Sequence, residues 1–263
     1  MLNGATERNE DAKTWFFRVS FANDRENRYF LMMILTDTSN EQTTDVIAGS
    51  ATSRAFTMMR ARILKGEFLP GEKLKVDELR QQLAIGASPI REALSLLTSA
   101  HLVERIDQRG FRVTPVSRQG FDELLKTRCW LEERALRESM AAASQDWEEG
   151  LVLAHHRLAR SERHQPGSLI DHGEWERLHR RFHQALIAGC GSSILLRFCD
   201  ELYDQNVRYR HVAGAGAGYQ KRDIEAEHSA IATAALTGDA DRAVAALVGH
   251  YQQTGEYLRQ LLD

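Results

Sequence analysis

From Ser50 onward, apolar residues recur at helical spacing. Ser50, Thr52 and Ser53 offer capping hydroxyls, and Ala55, Met58, Met59 and Ile63 then fall on one face up to Gly66. Phe68 to Lys75 breaks that period with Pro70-Gly71, a turn leading into a short extended piece. Asp77 and Glu78 put negative charge at the positive end of a second helix, with Leu79 and Leu83 inward. After the turn Ile85-Gly86-Ala87, Ser88 is expected to cap a third helix with Pro89 at its first position. Ile90, Ala93, Leu94 and Leu97 form its buried stripe. The period then drops from 3.6 to 2. Residues 102–106 and 111–114 alternate like two strands around Asp107-Gln-Arg-Gly110. Helix, helix, turn, helix, hairpin is the order of a winged helix-turn-helix.

Pro115-Val-Ser117 reads as a linker. Beyond it the pattern is helical throughout, roughly over 119–143, 146–164, 170–189, 192–211, 219–236 and 239–262. Breaks fall at Gln165-Pro-Gly-Ser168, Gly189 to Ser193, Gly214 to Gly218, and Gly238-Asp239. Six helices with short connections predict an antiparallel bundle, so the fold class is mainly α. The expected division is 1–46, 47–116 and 117–263. Residues 1–46 show no sustained period and end in a polar run, so they read as a disordered tail. A start of translation at Met32 or Met33 is the alternative reading of that segment.

Charge sharpens this division. The formal net charge is −3, yet Ile47 to Arg118 holds twelve Lys/Arg against seven Asp/Glu. A basic head on an acidic body suits a module that meets nucleic acid joined to one that does not. Cys129, Cys190 and Cys199 have no regular spacing and are expected as buried thiols in a reducing compartment, not a disulfide framework. The apolar run Tyr29 to Leu35 is too short to span a membrane and lacks signal-peptide flanks, so a cytoplasmic location is expected.

Gly66-x-x-x-Pro-Gly-x-x-Leu74, Ser88-Pro-Ile-Arg-Glu-Ala-Leu94 and Leu102-Val…Arg109-Gly-Phe-Arg-Val113 resemble the DNA-binding domain of GntR-type regulators. The helical part resembles that family's FadR-like, FCD-type effector domain. Within the family, His179 to Ser192 resembles the carbon-starvation-induced regulator type. The resemblance implies a homodimer that binds double-stranded operator DNA, probes a small carboxylate, and acts as a repressor.

A recognition helix places its first turns in the major groove while phosphate contacts fix its angle. Ser88, Arg91 and Ser95 project from the third helix, Arg80 and Lys75 are expected at phosphates, and Arg109 with Gly110 forms the wing tip. Many members of the family carry Arg where this chain has Ala87, so base readout is expected to lean on Arg80, Ser88 and Arg91.

His179 and His183, four apart, leave one side of a single helix beside Leu178, Phe182 and Leu186. His228 lies in line with Ile224, Ile231 and Ala235, and His250 lies among Ala246, Leu247, Thr254 and Leu258. Inward histidines on facing helices of a bundle can converge on one metal. In the resemblance, metal-binding members use one Asp and three His, and His179 stands in the Asp place. Losing that anionic ligand favours Zn or Ni over a harder cation. The alternative is that no metal binds and the imidazoles hold an acid directly. Arg128 and Glu132, one turn apart, form either a carboxylate clamp or a helix ion pair. Arg208 and Arg210, before the glycine-rich run, are further candidates of the same kind.

Two further functions compete with an effector-controlled regulator. In a metal-responsive regulator the ion itself is the signal. A metal-dependent enzyme would need a base of the His-Glu-x-x-His kind beside the ligands, and the chain has none.

Overall fold

Ser50 begins the ordered pattern, as its hydroxyl accepts from the Ser53 amide and caps the first helix, α1 (Ala51–Leu64). The computed structural model describes residues 50–161, 172–213 and 222–262. The expected tail over 1–46 with its alternative starts, the break at Gln165–Ser168 and the connector Gly214–Gly218 lie outside the described residues.

After α1 come β1 (Lys73–Leu74), α2 (Val76–Leu83), α3 (Ala87–Ser99), β2 (Val103–Ile106) and β3 (Gly110–Val113). The strands form an antiparallel sheet in the order β1-β3-β2, with Leu74 opposite Phe111 and Val103 opposite Val113. The expected hairpin therefore gains a third strand from the extended piece before α2. Ala55, Met59, Ile63, Leu79, Leu83, Ile90, Leu94, Leu97, Leu102 and Val113 share one buried cluster. Met58, expected in that stripe, is 36% exposed.

The start of α3 differs from the expectation. Gly86, not Ser88, is the N-cap; its extended backbone lets its carbonyl take the Ile90 amide at 3.3 Å. Ala84 has already turned the chain in a left-handed conformation at the end of α2 (φ 53°). Ser88 lies inside the first turn with its hydroxyl 3.3 Å from Glu92. Pro89 is tolerated there because the first amides of a helix have no partner within it.

The bundle comprises α4 (Arg118–Ala142), α5 (Gln145–Ala159), α6 (His172–Ile187), α7 (Ser193–Ala213), α8 (Ile224–Leu236) and α9 (Ala240–Arg259). Side chains of Ser117, Ser144, Asp223 and Asp239 cap α4, α5, α8 and α9. α4 packs on α7 and α9, α5 on α6 and α8, and α8 on α9. Phe121, Leu136, Leu151, Phe182, Leu186, Ile231 and Leu247 fill the interior. Gly255 permits the close passage of α9 over α4, where a Cβ would run into the end of the Leu125 side chain.

α7 joins the two halves of the unit Asp45–Asp263. Its Asp204 takes Arg60 of α1 in a two-pronged contact at 2.7 and 2.5 Å. Gln205 donates to the Ala100 carbonyl at 3.2 Å, and Arg208 donates to the Thr114 carbonyl. Of the cysteines only Cys199 is buried; Cys129, within α4, and Cys190, just after α6, are half-buried, a correction to the expected three buried thiols. No helix among the described residues is long and apolar enough to cross a membrane.

Candidate ligand centre and DNA-binding face

α6 presents His179 and His183 one turn apart toward the bundle axis, beside the fully buried Phe182. α8 brings His228 between the buried Ile224 and Ile231, and α9 brings His250 beside Leu247. All four rings are buried, and one nitrogen from each lies within 4.8 Å of the others. The Nε2 atoms of His179 and His183 are 3.2 Å apart.

The outward nitrogens of three rings are held. Tyr203 donates its hydroxyl proton to Glu176 at 2.7 Å, so its oxygen accepts from His179 Nδ1 at 2.8 Å. Tyr251 donates to Glu132, so its oxygen accepts from His183 Nδ1 at 2.9 Å. Glu227 accepts from His250 Nδ1 at 2.7 Å. With the proton on Nδ1, Nε2 of each ring offers a lone pair.

Burial, then the neighbouring imidazole of His183, lowers the pKa of His179 well below 6.5. Burial, then His250, does the same to His183. Burial also lowers His250, against the raising effect of Glu227. Neutral His179 and His183 thus direct two lone pairs at each other, an arrangement that a cation between them relieves. Nitrogens bound to one tetrahedral zinc at ~2.0–2.1 Å lie roughly 3.3 Å apart, close to the observed 3.2 Å. The donor set is all imidazole, which suits zinc, nickel or copper. The residues present fit such a metal.

Arg128 is buried above the cluster, its Nε 2.6 Å from Glu132 and its guanidinium 4.0 Å from the centre of the Tyr251 ring. Its Nη2 is buried and makes no hydrogen bond. Burial lowers its pKa, but Glu132 outweighs that and the net direction is upward, so it stays charged. Beside it a water-sized gap is lined by Arg128, His179, Asn206, Arg210 and Tyr251. A separate cavity of about 230 Å³ opens between α5, α6 and α8, with His155, Trp175, Arg222 and His228 in its wall.

Arg208 departs from its expected place. It is buried against the Thr114 carbonyl and Gln205, facing the winged head and not the histidines. Arg210, two residues on, faces the cluster and pairs with Glu176 at 2.7 Å. Sequence spacing carries no signal for Tyr203, Tyr251, Glu176 and Glu227, because the rings and hydroxyls they meet lie far along the chain.

On the head, Arg91 of α3 and Arg109 of the wing are exposed and make no ion pair among the described residues. Ser88 and Ser95 are exposed on the same helix, Ser95 donating to the Arg91 carbonyl at 3.0 Å. Gly110 has φ 92°, a conformation that side chains resist, at the tip of the wing. Lys75 and Arg80 are exposed but engaged, with Glu78 at 2.5 Å and Asp77 at 3.2 Å.

A winged helix-turn-helix with free arginines, joined to a helical bundle enclosing a donor cluster, defines the class of ligand-responsive DNA-binding regulators. Residues 51–113 match the family of bacterial regulatory proteins, gntR family, and residues 123–253 match the FCD domain. The chain is 36% identical over 206 residues to the HTH-type transcriptional regulator BphR of Paraburkholderia xenovorans (strain LB400), covering 78% of this chain and 84% of that one. It is 33% identical over 158 residues to the HTH-type transcriptional repressor GlaR of Escherichia coli (strain K12), covering 60% of this chain and 71% of that one. The solved structure of E. coli McbR/YncC shares the fold, with a TM-score of 0.67, 20% identity, and coverage of 82% of this chain and all of that one. The chain belongs to the gntR family and carries an FCD domain. It is a DNA-binding transcriptional regulator with an effector-binding domain, and the relatives named above are transcriptional regulators as well.

Proposed function

We propose that the chain is a cytoplasmic, homodimeric repressor that releases operator DNA when a small dicarboxylate-class acid binds in residues 117–263, through a zinc or nickel ion at His179, His183, His228 and His250. The observation that carries this reading is the meeting of four imidazole nitrogens within 4.8 Å beside a buried Arg128 with an unbonded Nη2. A bound metal would supply Lewis-acid positions for carboxylate oxygens. Arg128, with Arg210 in the place expected for Arg208, would take the acid's other charge. Four neutral ligands leave the ion's charge uncompensated, which favours an anion as effector. The dicarboxylate class is supported by the resemblance of His179 to Ser192 to the carbon-starvation-induced type. Repression is supported by the name of the relative GlaR.

In residues 47–116, Ser88, Arg91 and Ser95 would read the major groove. Lys75 and Arg80 would hold phosphates, and Arg109 would enter the minor groove from the wing tip, where Gly110 allows close backbone approach.

The test uses metal-stripped full chain and a duplex that the protein selects from random sequence. Fluorescence anisotropy follows DNA binding as Zn²⁺ or Ni²⁺ is added, and then a series of small dicarboxylates. Release that needs both metal and acid supports the reading. Release by metal alone would make the ion the signal. Release by acid with equal affinity in the stripped protein would remove the metal from the function.

A further inference from the structure

The four histidines are surrounded by three Arg–Glu pairs, and each pair grips a different ring. Arg128 holds Glu132 at 2.6 Å, Glu132 accepts from Tyr251, and Tyr251 accepts from His183. Arg210 holds Glu176 at 2.7 Å, Glu176 accepts from Tyr203 at 2.7 Å, and Tyr203 accepts from His179 at 2.8 Å. Arg222 holds Glu227 at 2.5 Å, and Glu227 accepts directly from His250 at 2.7 Å.

These relays come from different helices but share one logic. A carboxylate has only acceptor oxygens, so the tyrosine hydroxyl must spend its single proton on it. The same hydroxyl can then only accept from the imidazole. Proton position is thereby passed inward from the arginine, and each ring is left with N–H outward and a lone pair inward.

We infer that Tyr203, Tyr251 and Glu227 are positioning residues that fix His179, His183 and His250 in the Nδ1–H tautomer and so set the affinity and geometry of the metal. The inference rests on the metal reading only for its second half. Each Arg–Glu pair is neutral overall, so the relays orient the ligands without adding the negative charge that the family's Asp would bring. Outer partners of this kind typically change metal affinity 10- to 100-fold.

The test has two readouts on the full chain. Two-bond ¹H–¹⁵N correlation of the metal-free protein reads imidazole tautomers, and Co²⁺ titration reads affinity and ligand field. Three rings in the Nδ1–H form are expected in the wild type. In Tyr251→Phe the His183 ring should leave that form, and Co²⁺ affinity should fall by about 10- to 100-fold with a changed d–d spectrum. Tyr203→Phe should do the same through His179.

Where a tyrosine variant does not fold, the pair Glu227→Gln and Glu227→Ala decides. Gln keeps an accepting oxygen and should retain the His250 tautomer and Co²⁺ affinity, whereas Ala should lose both. Nε2–H rings in the wild type, or tyrosine variants that bind Co²⁺ within twofold of it with the same spectrum, overturn the inference. If the wild type takes no metal, the proposed function falls, while the tautomers still decide this point.

Discussion

Replacing Asp204 tests whether the contact between the winged head and the bundle is held in solution. Its carboxylate accepts two bonds from Arg60 of α1 and one from Arg180 of α6 at 2.6 Å. Asp204 is 10% exposed, against 28% for Arg60 and 20% for Arg180. Burial lowers the Arg180 pKa, and Asp204 and Asp200 more than restore it, so that cation persists. Removing one partner of a buried ion pair costs about 3–5 kcal/mol. Water at the two partly exposed arginines screens part of that, so Asp204→Ala is expected to cost about 2–3 kcal/mol. Asp204→Asn keeps the volume and one acceptor and should cost about 1–2 kcal/mol. Urea denaturation of the metal-free chain measures both, and a double-mutant cycle with Arg60→Ala isolates the pair, with an expected coupling above about 1 kcal/mol. A change within about 0.5 kcal/mol and no coupling would show that the contact does not persist, and would refute α7 as a link between the halves.

Two further outcomes follow from the site and the head. Arg91→Ala should weaken operator binding by about 1–3 kcal/mol in a titration at fixed salt; unchanged affinity would remove Arg91 from the interface. Metal-free stability should be full above about pH 6.5 and decline as pH falls through it, because His179, His183 and His250 have folded pKa values below the unfolded one and protons therefore favour the unfolded chain. Thermal unfolding between about pH 7.5 and about pH 5 checks this, with His183→Gln reducing the slope; a melting temperature that holds steady or rises on acidification would refute it.

The order of elements in both halves was readable because each carries a strong local period. The i, i+4 spacing of His179 and His183 and the apolar neighbours of His228 and His250 place all four on inward faces from the sequence alone. The cap of α3 was misread because a glycine in extended conformation starts a helix without a side-chain signal. β1 is two residues long and exists only through its pairing with β3, which no local pattern announces. The choice between Arg208 and Arg210 failed for another reason. α7 packs against α1, α4, α6 and α9, so Tyr203, Asp204, Asn206, Val207, Arg208 and Tyr209 are all buried. Over this stretch the helix is covered on every side, so no amphipathic face orients its arginines, whereas Ile194 and Phe198 nearer its start are exposed.

That central position gives the proposed signal a route from the histidines to the DNA-binding head. Tyr203 and Asp204 are adjacent on α7, yet the first holds His179 and the second holds Arg60. On α6, His179 and Arg180 are likewise adjacent, and Arg180 returns to Asp204. Any shift of His179 toward a bound ion must move or break its bond to Tyr203, and the backbone step to Asp204 is rigid within a helix. The same helix sends Gln205 and Arg208 to the carbonyls of Ala100 and Thr114, which flank the wing. A ligand changes the DNA-binding state only by as much as it prefers one arrangement over the other. The prediction for Asp204 is therefore also a prediction about control: the ligand-induced change in operator affinity should shrink in Asp204→Asn even where the variant still folds and still takes metal. A variant that loses the Arg60 contact but keeps the full response would mean that the signal leaves the bundle through another helix.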